Sequence, residues 1–352
     1  MRAVLRELMP SVLAIAAALL LFGVFVAAAA GVDPLEAWSV LFRGAFGSWF
    51  SWQNTLQRAA PLMLTALCVA IPARAGLVII GGEGALVLGG LACATLAYLV
   101  PLPGGIPGSV AVCVAGAAAG ALWIMLAGWL RQYRGINETI SSLLLAYVAI
   151  GIFKHLVEGP LRDPASLNKP STHALDEALR IGGIAGSDVH WGLAIGVLAC
   201  IGLGLWLRLT ASGFSLRVVG GNLRAAQLVG LPANRLVLLA CAIGGACAGL
   251  AGAVEVAAVH TSANAALIAG YGYAGILVAF IARQNPVAVI PVAILFGGFG
   301  AAGSLLQRRL GLPDASVQVL QGIAFVLILA SEVLRRLPAK RIAAPSLRKG
   351  HA

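Results

Sequence analysis

Charged residues are scarce in this sequence, and their scarcity excludes a soluble globular fold. They make up 11% of the 352 residues, whereas an ordinary soluble domain carries about a quarter. Apolar residues make up 60%, and the mean hydropathy is +0.94. The 44 glycines suit helices in lipid, where small residues let backbones approach closely. The composition therefore predicts an all-α polytopic transmembrane helical bundle.

Lysine is also rare, and its four contexts exclude a nucleotide-phosphate loop of the usual kind. The lysines occur in FKH (153–155), NKP (168–170), AKR (339–341) and RKG (348–350). None of them completes a GxxxxGK[ST] motif, in which a Gly-rich loop and a Lys cradle phosphates. We expect this chain to bind no cofactor and not to be an enzyme, so that any ATP and Mg²⁺ are used by another subunit.

Paired cysteines and clustered histidines are missing too. The six cysteines fall inside apolar stretches without a CxxC pair, and the five histidines are scattered, so we predict no metal site. The net charge of +11 does not indicate nucleic acid, because the basic residues lie between apolar runs rather than on one face with stacking aromatics. Such charges are typical of topology signals and lipid-headgroup anchors.

Ten apolar segments approach the roughly 20 residues that a membrane-spanning helix needs. They are residues 10–30, 58–74, 79–101, 108–130, 139–157, 189–207, 236–258, 266–282, 286–306 and 316–334. About ten crossings place both termini on the same side of the membrane. We therefore predict one transmembrane domain over residues 1–352, with its spans between about 10 and 334 and both termini in the cytoplasm.

The distribution of Lys and Arg sets this orientation. With a cytoplasmic N-terminus, sixteen basic residues lie inside, seven lie outside, and Lys154 lies within a span, as the positive-inside rule expects. Residues 335–352 then form a basic cytoplasmic tail.

The first span follows Arg2 and Arg6 and ends in small residues, as a secretory signal does, but its length of about 20 residues favours an uncleaved anchor.

Two polar stretches between spans are long enough to have a role. Residues 158–188 form a loop on the periplasmic side in this topology, and they either meet an extracellular partner or serve as a connector. Residues 208–235 lie in the cytoplasm, where Asn222 precedes a short helical run that ends at Gly230, as start and stop signals of a helix predict. A helix this short is marginal in water. It therefore docks either in a groove of a soluble ATPase or on lipid headgroups.

Four motifs, in order along the chain, carry a family resemblance. AGLVIIGGEGALVLGG (75–90), GINETISSLLLAYVAI (135–150), the run from SGFSLRVV to AGAVEV (212–256) and GYGYAGILVAFIARQNP (270–286) resemble the permeases of the nucleoside and simple-sugar branch of ABC importers, which are related to the permeases for ribose and branched-chain amino acids. The resemblance covers most of residues 58–330. It implies a permease subunit in the inner membrane of a bacterium that imports a nucleoside-like or simple-sugar-like solute.

The resemblance also implies partners. These are a second permease subunit, either the same chain or a related one, two cytoplasmic ATP-binding subunits, and a periplasmic or lipid-anchored substrate-binding protein, all around a chain embedded in the lipid bilayer. It favours the ATPase-coupling interpretation of residues 208–235 over the headgroup one. The positions that match the family pattern in this loop, and that we predict to contact the ATPase, are Gly213, Phe214, Arg217, Gly220, Asn222, Ala225, Ala226 and Gly230.

Polar residues among the spans are candidates for the substrate pathway, because ionisable groups in a membrane usually face a cavity or a partner. The candidates are Glu83, Asn137, Glu138, Tyr147, Tyr271 and Tyr273, with Glu255 as a further buried carboxylate. Each has a structural alternative. Glu83 is either a pathway residue or an acceptor between helices, Asn137 and Glu138 also suit a helix N-terminus, and tyrosines also serve as interface anchors.

Three positions depart from the family pattern. Ile80 and Ala146 stand where the pattern has Asn, and Ala85 stands where it has Gln. A site that hydrogen-bonds a polar ligand loses discrimination when its amides are replaced by apolar groups. If these positions line the pathway, the solute is less polar than a common nucleoside or differs from it in shape.

Other classes of membrane protein remain open from the residues alone. An ion-coupled secondary transporter is also a basic, Gly-rich bundle, in which Glu83 and Glu255 would carry protons, and the similarity of GGEG to GYGYAG hints at two related halves. Such a transporter does not need the loop at 208–235. A membrane enzyme is disfavoured by the absence of a His/Asp cluster or a nucleophile elbow, and a purely structural component leaves the loop unexplained.

Overall fold

The computed structural model describes residues 2–313 and 315–336, and it describes side chains for residues 13–313 and 315–331. Its helices are α1 (Arg2–Ala30), α2 (Pro34–Phe46), α3 (Trp49–Ala73), α4 (Gly82–Leu99), α5 (Ile106–Arg134), α6 (Glu138–Glu158), α7 (Gly192–Leu209), α8 (Ala211–Gly221), α9 (Leu223–Leu228), α10 (Ala233–Val254), α11 (Tyr271–Ile281), α12 (Pro286–Leu310) and α13 (Ala315–Arg336). The described part of the chain contains no strand. The predicted all-α bundle is confirmed.

The predicted spans correspond to the apolar helices of the described chain. Eight are long and apolar enough to cross a membrane, and the segments Ala265–Ile281 and Ala315–Ser331 are shorter apolar helices. Each of these ten segments overlaps one of the ten predicted spans. Most of the basic tail, residues 337–352, lies outside the described residues.

The sequence prediction was wrong at the start of the second span. α3 begins at Trp49 rather than at residue 58, because the Ser48 hydroxyl caps it by accepting a hydrogen bond from the Ser51 amide. Arg58, which the prediction placed outside the membrane, therefore lies nine residues inside a membrane-spanning helix. The short helix α2, which was not predicted, packs against α12, where Gly44 lies against Ala302.

The eighth predicted span was also wrong in form. Residues 266–282 are helical mainly from Tyr271 to Ile281, which is about 16 Å of helix and too short to cross a membrane. α10 continues into a π-helical turn, Glu255–His260, and the chain then turns at Thr261, which has a positive φ of 58°. The chain thus enters α11 through a largely non-helical segment, which places the start of α11 inside the bundle.

α10 is the centre of the bundle and packs against α3, α4 and α5. Its contacts depend on glycines that bring backbones together. A Cβ atom at Gly249 would lie 2.1 Å from the Gly116 carbonyl oxygen, and one at Gly252 would lie 1.9 Å from the Leu86 carbonyl oxygen. Because both neighbours are backbone atoms, neither contact can accept even a methyl group without movement of a helix.

We expect Gly252→Ala to destabilise the protein by about 3 kcal/mol, because overpacking a close helix contact costs about 1–3 kcal/mol and here the clash is with backbone. Gly202→Ala on α7 is the matched control, since a Cβ there meets nothing within 4 Å, and the higher helix propensity of Ala favours it. Thermal unfolding of the two variants in one detergent measures the difference. A midpoint for Gly252→Ala equal to that of Gly202→Ala would contradict this packing.

Loops at the two ends of the bundle form distinct sets. At one end, which we call the basic end (residues 74–78, 131–137, 208–235 and 282–285), the Arg74 guanidinium donates to the Gln284 carbonyl at 2.7 Å, and the Thr139 hydroxyl donates to the Val78 carbonyl at 3.0 Å. At the opposite end, the loop at 159–191 covers the helix termini, where the Gly105 amide donates to the Ala178 carbonyl at 2.8 Å. The segments predicted to be cytoplasmic between spans thus share one end.

Candidate functional site

A cavity of about 680 Å³ lies among α3, α11, α12 and α13, beside Ile80 and Leu143. Its apolar wall includes Leu62, Phe296 and Phe325. The polar side chains that line it are those of Arg58, Tyr271, Tyr273, Ser304, Gln318 and Gln321. The volume lies within the range of about 300–1,000 Å³ that is usual for small-molecule sites, so this cavity is the candidate solute site.

The start of α11 forms one side of this cavity and is held by Glu83. The two carboxylate oxygens accept hydrogen bonds from the Gly270 amide at 2.8 Å and from the Gly272 amide at 2.6 Å. Glu83 has no exposed surface. A carboxylate at a helix N-terminus satisfies amides that lack a partner within the helix and complements its positive dipole end.

The contacts of Glu83 arise because two helices begin inside the bundle. α4 starts at Gly82, after residues 77–81 have entered the bundle beside α6, where the Ile80 amide donates to the Ser142 hydroxyl at 3.1 Å. The start of α11 reaches the level of Thr65, whose hydroxyl donates to the Tyr271 carbonyl at 3.0 Å. Thr65 lies eight residues before the end of α3, or about 12 Å along the helix. The chain is thus not helical just before GGEG, and this break brings Glu83 to α11.

The structure brings only some of the predicted pathway residues together. Tyr271 and Tyr273 line the cavity, and Glu83 lies behind them, with both its oxygens bound to backbone, in agreement with its structural alternative. Asn137 caps α6 by accepting from the Thr139 and Ile140 amides. For these four residues, contact with the solute remains a prediction.

The remaining two candidates lie away from the cavity lining. Glu138 pairs with Arg131 at the basic end, with 3.1 Å between carboxylate oxygen and guanidinium nitrogen. Tyr147, on α6, is 60% exposed and is not among the residues that line the cavity. The buried Glu255 lies 3.5 Å from the Nε2 atom of His260.

Sequence reasoning missed four polar residues of the cavity, namely Arg58, Ser304, Gln318 and Gln321. Arg58 was assigned to the outside loop because the apolar run begins after it. The signal that could have found it is the Ser48 cap followed by an aromatic run, which starts the helix nine residues before the apolar core of the span. Gln318 and Gln321 lie one turn apart on α13, a spacing that indicates one helix face.

Of the three departures from the family pattern, only Ile80 lines the cavity. Ala85 and Ala146 are fully buried. A Cβ atom at Gly84 would lie 2.7 Å from the Cα atom of Ala146, so this contact between α4 and α6 leaves little room for a larger side chain. These two positions therefore lie in the packed interior, and only the lost amide at Ile80 concerns the cavity.

A second candidate site is the pair α8 and α9 at the basic end. Asn222 caps α9 by accepting from the Ala225 amide at 3.1 Å, and Gly230, with a φ of +80°, follows its end. The predicted start and stop residues of this short helix are confirmed. α9 is anchored through Ala226, which is fully buried in one cluster with Leu216 and Val219.

α8 is seated on the bundle through its glycines. A Cβ atom at Gly220 would lie 2.0 Å from the Arg74 carbonyl oxygen, and one at Gly213 would lie 2.6 Å from the Cα atom of Leu207. Burial, followed by repulsion from Arg217 and Arg208, lowers the pKa of Arg74, so three guanidinium groups lie close enough here to interact. The result is a positively charged surface beside a tightly docked helix.

The outer face of α8 and α9 carries exposed apolar side chains. Leu228 is 88% exposed, Val229 is 72% exposed and Phe214 is 60% exposed. Of the eight predicted coupling positions, Gly213 and Ala226 are buried, and the other six are exposed, namely Phe214, Arg217, Gly220, Asn222, Ala225 and Gly230. Because α8 and α9 contact each other, these exposed side chains lie on adjacent helices, and exposed apolar side chains that lie together are typical of a protein interaction site. We refer to Phe214, Arg217, Ala225, Leu228 and Val229 as the docking face.

Comparison with known proteins gives consistent matches. The family model described as branched-chain amino acid transport system / permease component matches residues 51–329. The chain is 34% identical over 340 residues to the glucose ABC transporter permease protein TsgB13 of Haloferax volcanii, covering 92% of this chain and 88% of that protein. It is 27% identical over 324 residues to the guanosine ABC transporter permease protein NupP of Bacillus subtilis, covering 89% and 90% of the two chains.

A third relative has a related description. The nucleoside ABC transporter permease protein NupB of Lactococcus lactis subsp. cremoris is 26% identical over 314 residues, which is 85% of this chain and 84% of that protein. The matches thus extend over nearly the whole lengths of these proteins.

Proposed function

Because this chain belongs to the family of branched-chain amino acid transport system permease components, it is a multi-pass permease subunit of an ABC transporter, and we propose that it imports a nucleoside-like or simple-sugar-like solute across the cell's inner membrane. ATP is bound and hydrolysed, with Mg²⁺, by separate subunits. A second permease subunit and a substrate-binding protein on the outer side complete the assembly.

The observation that carries this proposal is the docking face at the basic end. A six-residue helix is marginal alone, yet here Ala226 buries one side of α9 while Leu228 and Val229 remain exposed. A groove on a soluble subunit that receives these side chains would couple its movement to α8, and α8 is in backbone contact with the end of α3 through Gly220. Movement at the ATPase would thereby reach the helix that carries Arg58 and lines the cavity.

The solute proposal is supported by the cavity and by the relatives. The relatives are described as permeases for glucose, guanosine and nucleosides, which are ring compounds with several polar groups. The cavity combines an apolar wall with two tyrosines and two glutamines, and such a mixture fits a ring that is held through a few oriented hydrogen bonds.

The proposal is tested by co-purification. The intact chain is tagged, expressed in its native host and purified from membranes in a mild detergent, and the bound proteins are assayed for ATP hydrolysis. We expect an ATPase subunit in near-stoichiometric amount. Recovery of the folded permease without any ATPase would contradict the proposal.

A second arm of the same experiment distinguishes the proposed function from that of an ion-coupled secondary transporter. The purified complex is placed in sealed vesicles, and uptake of labelled guanosine and glucose is measured with ATP available to the ATPase side, or with a proton or sodium gradient alone. Uptake that requires ATP supports the proposed function. Uptake on a gradient alone would replace it with the secondary transporter.

A further inference from the structure

Arg58 lies within a helix that is long and apolar enough to cross a membrane, and its exposed side chain lines the cavity. It lies nine residues after the start of α3, or about 14 Å along the helix. A Cβ atom at Gly300 of α12 would lie 3.5 Å from the Cδ atom of Arg58 and 3.8 Å from its Nη1 atom, so the glycine leaves room for the guanidinium. A charged side chain at this depth is costly and usually marks a pathway for a solute or an ion.

The charge of Arg58 is only partly compensated by the protein. Among the described residues, it forms none of the ion pairs shorter than 4.0 Å, and the cavity lining contains neither Asp nor Glu. The guanidinium lies within hydrogen-bonding reach of the Tyr271 hydroxyl and within electrostatic range of Glu255. Glu255, however, is buried outside the cavity lining and lies beside His260. It therefore does not accept hydrogen bonds on the side of the guanidinium that faces the cavity.

The hydrogen-bonding capacity of the cavity is therefore weighted toward donors. Arg has five N–H donors and no acceptor, and the hydroxyls and amides of Tyr, Ser and Gln serve as either. A sugar hydroxyl is both a donor and an acceptor, but it offers no second acceptor atom held in the same plane. A solute with a planar pair of acceptor atoms therefore matches the guanidinium better than a neutral sugar does.

We propose that Arg58 is the specificity-determining residue of the solute site and recognises a planar group with two adjacent acceptor atoms. This inference rests on the proposed function and names the solute chemistry of the same cavity. The fork of a guanidinium fits such an edge with two parallel hydrogen bonds, either the O6 and N7 atoms of an oxopurine or the two oxygens of a carboxylate. Tyr271, Phe296 and Phe325, which line the same cavity, supply apolar ring faces for the rest of the solute.

The test compares uptake of three labelled probes by the assembled transporter in vesicles. Guanosine carries an oxopurine edge, glucuronate carries a carboxylate, and glucose carries neither. Arg58→Gln is expected to raise KM for at least one of the first two by about tenfold or more, as the loss of a two-point contact implies, and to change glucose uptake less than twofold. The affected probe identifies which of the two acceptor groups the site takes.

Two further variants separate specificity from charge and from folding. Arg58→Lys keeps the charge but lacks the fork, so we expect it to remain defective for the same probe. Arg43→Gln removes an exposed cation of α2 outside the cavity lining and is expected to leave all three rates unchanged. Rescue by lysine would overturn the planar-recognition part of the inference.

Several outcomes overturn the inference while leaving the proposed function intact. An equal loss for all three probes in Arg58→Gln means that the arginine has a structural role. ATP-dependent uptake of glucose by the intact complex without uptake of guanosine or glucuronate means that the cavity does not select paired acceptors, and ATP hydrolysis without uptake of any probe counts against it too. Failure of the proposed function is recognised separately, because no ATPase would then co-purify with the intact chain.

Discussion

Glu83→Gln is expected to abolish most transport and to lower the stability of the protein by about 2–4 kcal/mol, because hydrogen bonds to a charged acceptor contribute about 1.5–3 kcal/mol each. The two oxygens of Glu83 accept from the Gly270 and Gly272 amides. A glutamine side chain offers one oxygen and one NH₂ group, so one of the two backbone N–H groups would face another donor. The start of α11 would then shift, together with the tyrosines of the cavity.

This prediction is measured by ATP-dependent uptake and by the thermal midpoint in detergent. Glu158→Gln is the matched control, because Glu158 is an exposed acid at the end of α6, and it should retain both properties. A Glu83→Gln protein with the uptake and the midpoint of the intact chain would show that the carboxylate does not hold α11 in place.

Leu228→Glu is expected to remove the ATPase subunit from the purified complex almost completely while leaving the permease folded. Leu228 is 88% exposed, so the substitution disturbs no core contact. In a groove that receives an apolar side chain, a buried carboxylate without a partner costs several kcal/mol, which reduces binding by a factor of about 100 or more. The amount of ATPase that co-purifies per permease is the measurement.

The choice of residue matters for this experiment. Ala226, a matching position in the same helix, is fully buried, so a glutamate there would damage the permease itself. Leu167→Glu is the matched control, because Leu167 is 80% exposed in the loop at the opposite end of the bundle. Equal ATPase recovery with Leu228→Glu and Leu167→Glu, with both proteins folded, would remove the docking face from the account.

The spans were predictable because a lipid environment requires a simple pattern in the sequence. Hydrophobic runs of about 20 residues and the distribution of Arg and Lys can be recognised without knowledge of tertiary contacts. The loops that were predicted to lie in the cytoplasm do lie together at the basic end. The short helix after Asn222 was predictable for a similar reason, since its cap and its terminal Gly230 are local signals.

The cavity was less predictable, because it depends on where helices begin inside the bundle. The motif GYGYAG reads as part of a full span, but α11 starts only at Tyr271, where Glu83 supplies acceptors from 187 and 189 positions away along the chain. No local pattern predicts such a contact. Arg58 was missed because the first turns of α3 contain polar residues, of which Gln53 and Thr55 are buried in the protein, so hydropathy places the start of the span too late.

Uptake by sealed vesicles tests the central claim most directly. The intact chain, reconstituted with its co-purifying subunits and the substrate-binding protein, is supplied with ATP and Mg²⁺ on the side of the basic end, and labelled guanosine or glucose is added on the opposite side. We expect uptake that depends on ATP and stops with Leu228→Glu. Uptake that proceeds without ATP on an ion gradient, and that is unchanged by Leu228→Glu, would contradict it.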